Sequence, residues 1–366
     1  MTTRRTIFLT GATGLVGSYL LKLFLQHGHR VYVLARGKKE KSAQQRVKDY
    51  VTFWDKEVWE IGSKNLLVVE GDIVYPDLGI KNLKITEELI SEVEIIYHSA
   101  ALAKLKAPLE VITKVNVEGT KNVLDFASMC KEKGKLKKVN YISTAYVAGT
   151  IGKINFTEDM LELGQGFHNI YEQTKYQAEL IVKEYQKKGL NISVFRPSLV
   201  MGDSIEGKTT DFRLFYEPLH FFSQEIYDEF PADVNCFENM INIDTVANAL
   251  FVLGDLEKAR VYHLVSPDNT NMGFFIKLAS DFFKFKMPKL SPFKNFSFDR
   301  WDTVQKALAE PFVPYFNYET SFFAKETQGM FSKKGFVFSK IDEQNFIRVF
   351  EYCKERKFIG KKNLQY

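Results

Sequence analysis

The chain has 366 residues, of which 26% are charged and 45% hydrophobic, and a formal net charge of +5. That length can bury a large core in one big domain or two, and the composition is globular, which excludes a disordered or fibrous chain. No apolar run reaches the roughly 18 residues of a membrane span, no nucleic-acid module is recognisable, and the modest positive charge reads as a lysine-rich surface that also suits phosphorylated cofactors or an acidic carrier protein.

At the N-terminus, Arg4 and Arg5 precede an apolar stretch, but a glycine turn interrupts it and no small-residue cleavage site follows, so the start reads as mature protein. The run Ile7-Phe8-Leu9 leads into Thr10-Gly11-Ala12-Thr13-Gly14-Leu15-Val16-Gly17 and then an amphipathic pattern. This is a strand, a phosphate-cradling turn and a helix: Gly11 permits the turn, Gly14 lets the backbone approach a pyrophosphate, and Gly17 lets the helix pack on the strand. A dinucleotide cofactor is expected there, bordered by Thr10, Gly11, Thr13, Gly14, Leu15, Val16 and Gly17. The second strand, Arg30 to Ala35, ends in Arg36 where an NAD site usually has Asp or Glu. A cation in place of a carboxylate favours NADP: Arg36, with Arg46 in the following helix, would pair with a 2′-phosphate. Alternatively, Arg36 is a solvated loop cation.

Further strands are expected at Leu66 to Glu70, Glu94 to His98, Val139 to Ser143 and Ile192 to Arg196, each separated by an amphipathic segment. After the third comes Gly71-Asp72-Ile73, which could place a carboxylate near the adenine amino group; after the next, Ser99-Ala100-Ala101 offers small residues where a cofactor passes close to backbone. Tyr141-Ile142-Ser143-Thr144 brings the Thr144 hydroxyl to the carboxyl end of the sheet, where it could bond a reacting oxygen or simply cap a turn. In Tyr171-Glu172-Gln173-Thr174-Lys175 the phenol and ammonium are four apart and share a helix face. A neighbouring cation lowers a phenol's pKa, so Tyr171 is expected to be a proton donor tuned by Lys175, which can also hold the nicotinamide ribose.

After about residue 265 the pattern changes: 17 of the 32 Phe fall between Phe274 and Phe350, interrupted by Pro288, Pro292, Pro311 and Pro314. The expected fold is therefore α/β, a doubly wound parallel sheet of the Rossmann kind over residues 1–265, with a substrate-side insertion near 203–240, and a smaller, mostly helical, Phe-rich cap over 266–366. Cys130, Cys236 and Cys353 are far apart and lack metal-ligand spacing, so reduced thiols, a cytoplasmic setting and no metal are expected.

In order along the chain, the glycine turn, Gly71-Asp72, Tyr97-His98-Ser99-Ala100-Ala101, Asn116-Val117-Glu118-Gly119-Thr120, Ser143-Thr144, Tyr171 to Lys175 and Arg196-Pro197-Ser198 resemble an extended short-chain dehydrogenase/reductase. The resemblance implies that Asn116 supports the active site and that Pro197 and Ser198 border the nicotinamide. Val69-Glu70-Gly71-Asp72-Ile73 followed by Pro76-Asp77-Leu78-Gly79-Ile80, Ser143 to Val147, Arg46 and Gly202-Asp203-Ser204 look most like the acyl thioester reductases: fatty acyl-CoA reductases and the terminal reductase domains of carboxylic acid reductases and peptide synthetases. Asn242-Ile243-Asp244 departs from the Pro-Val-Asp usual in those families.

The resemblance implies NADPH-dependent reduction of an acyl thioester, carried on CoA or an acyl carrier protein, to an aldehyde or alcohol. Thr144 and Tyr171 would bond the oxyanion, and Phe212, Phe215, Phe221, Phe222 and the tail phenylalanines would line an acyl channel or else form the cap's core. Peripheral membrane contact through the aromatic cap is left open. The alternatives are an extended epimerase, dehydratase or ketoreductase acting on a nucleotide sugar or lipid ketone, and a non-catalytic cofactor-binding scaffold, which would need no Tyr-Lys pair.

Overall fold

The computed structural model describes residues 4–359. Its centre is a seven-stranded parallel sheet of β1 (Thr6–Thr10), β2 (Arg30–Ala35), β3 (Leu66–Glu70), β4 (Ile95–His98), β5 (Lys138–Ile142), β6 (Ile192–Pro197) and β7 (Val261–Leu264), in the order β7-β6-β5-β4-β1-β2-β3. All pairs are parallel, with Ile7 in register between Val31 and Ile95. The strand order reverses between β1 and β4, so the connections leaving these two strands diverge and open a crevice at their carboxyl ends.

The inner strands are almost continuously apolar because both faces are covered. Ile7 and Leu9 pack with Val31 and Val33 under helices α1 (Leu15–Gln26) and Ile243–Gly254. Phe8 and Tyr32 point the other way, against helices Gly119–Lys133 and Ile170–Lys187. This is the expected doubly wound architecture. The seventh strand was not marked in the sequence: Val261–Leu264 is four residues long, lies at the sheet edge and contains His263.

A second, aromatic-rich core lies over the carboxyl ends. It combines Tyr146 and Phe156 with Phe215, Phe221, Phe222 and Phe230 from the middle of the chain, and with Phe275, Trp301, Phe316, Phe346 and Phe350 from the tail. The middle and tail are interwoven through short strands: Glu229–Pro231 pairs with Lys289–Ser291, Phe237–Glu238 with Thr270–Asn271, and Asn155–Phe156 with Ser321–Phe322. One part of the tail packs elsewhere. After Phe322 the chain runs down to the sheet, where Phe331, with Phe338 against it, packs beneath β7 and helix Ile243–Gly254. There the His263 backbone N–H donates to Thr327 Oγ1 (3.1 Å) and its ring bonds Phe323 O (2.8 Å), so the tail covers the free edge of β7. The chain then re-enters the aromatic core through helix Glu343–Glu355. Of the expected cap, residues 360–366 lie outside the described range.

Candidate active site

The glycine turn is shaped by sterics. Gly11 sits at φ +79°, and a Cβ there would lie 2.5 Å from Ala100 N; a Cβ on Gly17 would lie 2.2 Å from Gly11 O. Both positions exclude any side chain, and the first brings Ser99 and Ala100 against the turn. At Gly14 a Cβ would meet nothing nearer than Gly11 O at 3.4 Å, so the space beside it is open. Helix α1 begins immediately after Gly14, with no capping side chain and no acidic residue in its first turn. Its N-terminal N–H groups and positive dipole end therefore suit a pyrophosphate. The turn fits a dinucleotide.

Thr10 serves this turn indirectly. Its hydroxyl contacts His98 Nδ1 (2.8 Å) and accepts from Ala100 N (3.3 Å). On the other side of the ring, His98 Nε2 lies 3.1 Å from Thr120 Oγ1, which donates to Asn116 O (2.6 Å). Only a neutral imidazole, donating from Nε2 and accepting at Nδ1, satisfies this whole chain, and burial pushes His98 down to about 3. Asn116 lies in a π-helical turn, Lys114–Glu118, a rare element concentrated at functional sites. Its side chain grips both the N–H (2.7 Å) and the C=O (3.3 Å) of Leu102 and donates to Thr174 (3.1 Å), binding the loop after β4 to the helix carrying Tyr171 and Lys175.

The three polar residues expected near the adenosine end converge. Arg36 Nη1 donates to Asp72 Oδ2 (2.6 Å), with the guanidinium still 64% exposed. Arg46 donates to Arg36 O (2.6 Å) and to Thr13 Oγ1 (3.0 Å), which joins the second strand's end to the glycine turn. Ile73 is buried in the sheet core; only its backbone reaches outward, and its carbonyl accepts from Asn122 (2.8 Å).

Gly14, Leu15, Val16, Ser99 and Ala101 line one cavity of ≈ 240 Å³ together with Thr144, Tyr171, Lys175, Pro197 and Ser198. Two buried hydroxyls on its wall, Ser143 Oγ and Ser198 Oγ, have no hydrogen-bond partner among the described residues, which leaves them available to a cofactor's polar groups. Thr144 caps a 3-10 turn, Ala145–Ala148: its Oγ1 accepts from Tyr146 N (3.3 Å) and donates to Pro197 O (3.3 Å). Capping and access to the cavity thus coexist in one side chain.

The expected electrostatics of the pair need correction. Burial pushes the Tyr171 phenol up to about 12, with Glu172 raising it further and Arg213 opposing; Lys175 is not among the groups that move it. The Lys175 ammonium instead donates to Tyr141 Oη (2.7 Å) and Ile142 O (2.8 Å), and burial lowers it to about 7. Shared helix spacing brings the two side chains to one cavity, but the ligand-free ammonium is tied to β5.

A second cavity of ≈ 1220 Å³ adjoins the first, sharing Ala101, Leu105, Arg213 and Phe312 with it. Phe212, Phe221, Phe312 and Phe358 line it, while Phe215, Phe275 and Phe316 line the inner one. Phe222 is core; of the 17 phenylalanines from Phe274 to Phe350, eight are buried, five are partly buried, and Phe274, Phe293, Phe323 and Phe336 are exposed. Gly202-Asp203-Ser204 is held by Asn242, which donates to Gly202 O (2.9 Å), and by Asp244, which accepts from Ser204 N and Oγ. Glu238, which the sequence marks only as a charge between Phe237 and the apolar Met240-Ile241, also lines the inner cavity.

Comparison with known proteins matches residues 9–250 to the male sterility protein family, an NAD-binding family. The chain belongs to that family. It is thus an NAD(P)-binding extended short-chain dehydrogenase/reductase, as the motif order implied. Among curated relatives it is 30% identical over 225 residues to the L-2-aminoadipate reductase large subunit of Penicillium chrysogenum, an alignment covering 57% of this chain and 16% of the relative. It is 31% identical over 214 residues to a carboxylic acid reductase of Segniliparus rugosus, covering 54% and 18%. The chain therefore spans less than a fifth of these relatives' length. Among solved structures, the terminal R domain from the myxalamid PKS-NRPS biosynthetic pathway superposes with a TM-score of 0.82 at 25% identity, covering 99% of this chain and 94% of that one. No helix of the described residues is long and apolar enough to cross a membrane, and Cys130, Cys236 and Cys353 are buried and free.

Proposed function

We propose that this protein is an NADPH-dependent reductase of acyl thioesters, releasing an aldehyde or, after a second turnover, an alcohol. The observation that carries this reading is the inner cavity, where the glycine turn, Thr144, Tyr171 and Lys175 meet and which continues into a larger, Phe-lined cavity. The names of the relatives and the terminal R domain support the thioester as substrate class.

Arg36 and Arg46, joined at the end of β2, favour a 2′-phosphate and hence NADP over NAD. Bound NADPH would supply the hydride. Tyr171 donates a hydrogen bond to the oxygen as it becomes an oxyanion, and Thr144 joins it by turning its one hydroxyl proton from Pro197 O, which stabilises charge that exists only as the reaction proceeds. A phenol at about 12 is fully protonated at neutral pH, and it passes that proton to the more basic alkoxide. Lys175 holds the nicotinamide ribose, Pro197 and Ser198 border the cofactor, and Asn116 supports the site by binding the loop after β4 to the Tyr171 helix. The hemithioacetal expels its thiol. Lys104, Lys106, Lys354 and Lys357 around the outer cavity suit the phosphates of CoA or an acidic acyl carrier protein. The free, buried cysteines suit a cytoplasmic setting.

Incubation of purified protein with NADPH and a panel of acyl-CoA and acyl-carrier thioesters, following nicotinamide oxidation and free thiol together, tests this. Coupled thiol release is expected. NADPH binding without thiol release from any thioester would overturn the reading and bring the ketone or nucleotide-sugar alternative forward.

A further inference from the structure

The inner cavity is not uniformly apolar beyond the reacting centre. Glu238, 1% exposed, stands on its wall in the short strand Phe237–Glu238, and Phe275, Phe312 and Phe316 line the same cavity. One carboxyl oxygen, Oε1, accepts from the Tyr146 hydroxyl and from Asn239 N (3.1 Å). The other, Oε2, is buried and has no hydrogen-bond partner among the described residues. No cation is among the groups acting on it, and burial pushes the carboxyl up to about 8, with Glu172 adding to the effect. The link to the chemistry is short: Tyr146, which holds Oε1, is itself held at its N–H by Thr144 Oγ1.

A buried carboxyl oxygen with no partner is costly, and a hydrocarbon packed against it would make that permanent. A ligand group that bonds it removes the cost. We propose that Glu238 is a specificity-determining residue, selecting acyl chains that carry a polar hydrogen-bonding group, a hydroxyl or amide, near the thioester over plain hydrocarbon chains. This rests on the acyl thioester reading of the same cavity. A site built around a buried polar group discriminates strongly against the analogue lacking its partner, because the group is then left unpaired. Of the two tyrosines packed on Tyr146, Tyr315 donates its hydroxyl to Glu172, and the Tyr318 hydroxyl, also buried, makes no hydrogen bond to Oε2.

The test compares octanoyl-CoA, 3-hydroxyoctanoyl-CoA and 2-acetamidooctanoyl-CoA by kcat/KM in the wild-type protein, Glu238→Met and Glu238→Gln. At least one of the two polar thioesters is expected to exceed octanoyl-CoA by about tenfold or more in the wild type. The ratio is expected to fall to near unity in Glu238→Met and to stay intermediate in Glu238→Gln, whose amide keeps both an acceptor and a donor. Equal ratios in all three proteins would overturn the proposal. The same discrimination is read without turnover from calorimetric affinities of octan-1-ol, octane-1,3-diol and 2-acetamidooctan-1-ol for the NADPH-bound protein, which has no oxidant for an alcohol, and its Glu238→Gln variant. Absence of thiol release from every thioester would sink the thioester reading, whereas equal wild-type affinities for the three alcohols would sink the role of Glu238.

Discussion

The Lys175 ammonium lies 2.7 Å from the Tyr141 hydroxyl, across the gap between the Tyr171 helix and β5. The Ile142 carbonyl at 2.8 Å is its other partner, and the ammonium also sits 4.2 Å from the centre of the Tyr141 ring. These contacts stabilise a charge that burial has driven down to about 7.

Because Lys175 loses its proton as pH rises through about 7, NADPH affinity of the free protein is expected to weaken across that range. Tyr141→Phe removes one acceptor from the charged form, so the transition should move to lower pH. Fluorescence titration of NADPH at several pH values checks this; an unmoved transition would separate Tyr141 from the lysine's titration.

Tyr171→Phe keeps the ring's packing and deletes the proton. Turnover is expected to fall by about 10²–10⁴-fold with NADPH binding nearly unchanged. Retained turnover would remove Tyr171 as the donor.

Arg36→Ala is expected to weaken NADPH by roughly tenfold, a modest figure because the guanidinium is largely exposed and already paired with Asp72. NADH affinity should change little. An equal fall for both cofactors would refute the 2′-phosphate assignment.

Arg196 and Glu179 form a buried bidentate pair, and Arg196 also bonds Met160 O (2.9 Å) and His263 Nε2 (3.2 Å). Glu179→Ala leaves that guanidinium buried without its carboxylate, and a loss of about 3–5 kcal/mol in unfolding free energy is expected by denaturant titration. A loss under about 1 kcal/mol would show that the backbone carbonyls alone suffice to hold the arginine.

Glu238 gives stability a pH signature. Its folded value is raised from the ordinary 4.5 to about 8, so between those values the unfolded chain has released the proton that the folded chain retains. Stability contributed by the protonated carboxyl is full below about 4.5 and is lost as pH rises through about 8. The wild-type melting temperature should therefore fall relative to Glu238→Gln over that window, and parallel curves would contradict the raised value.

The sheet and the core of the candidate site were legible because each rests on a local pattern. Steric exclusion at Gly11 and Gly17 demands glycine at fixed spacing, strand-end placement brings Thr144 to the carboxyl edge, and a four-residue helical repeat puts Tyr171 and Lys175 on one face. What escaped depends on contacts distant in sequence. The π turn around Asn116 leaves no spacing signature, the partner of Lys175 is on another strand, and two-residue strands such as Phe237–Glu238 carry no periodicity. The phenol's pKa was misread for the same reason: adjacency on a helix specifies proximity, while the direction of the ammonium is fixed by Tyr141 and Ile142.

The tail's return to His263 governs how this molecule can breathe. The cap is anchored on both sides of that clip, by Ser321–Phe322 before it and Glu343–Glu355 after it. A clamshell swing would tear Thr327 and Phe323 from the strand edge and withdraw Phe331 and Phe338 from the core. For the proposed acyl thioester, the way in is then the outer cavity, lined by the loop after β4 and the residues around the end of helix Glu343–Glu355. On that reading, passage through a fixed opening, more than closure around the substrate, governs access to the inner cavity.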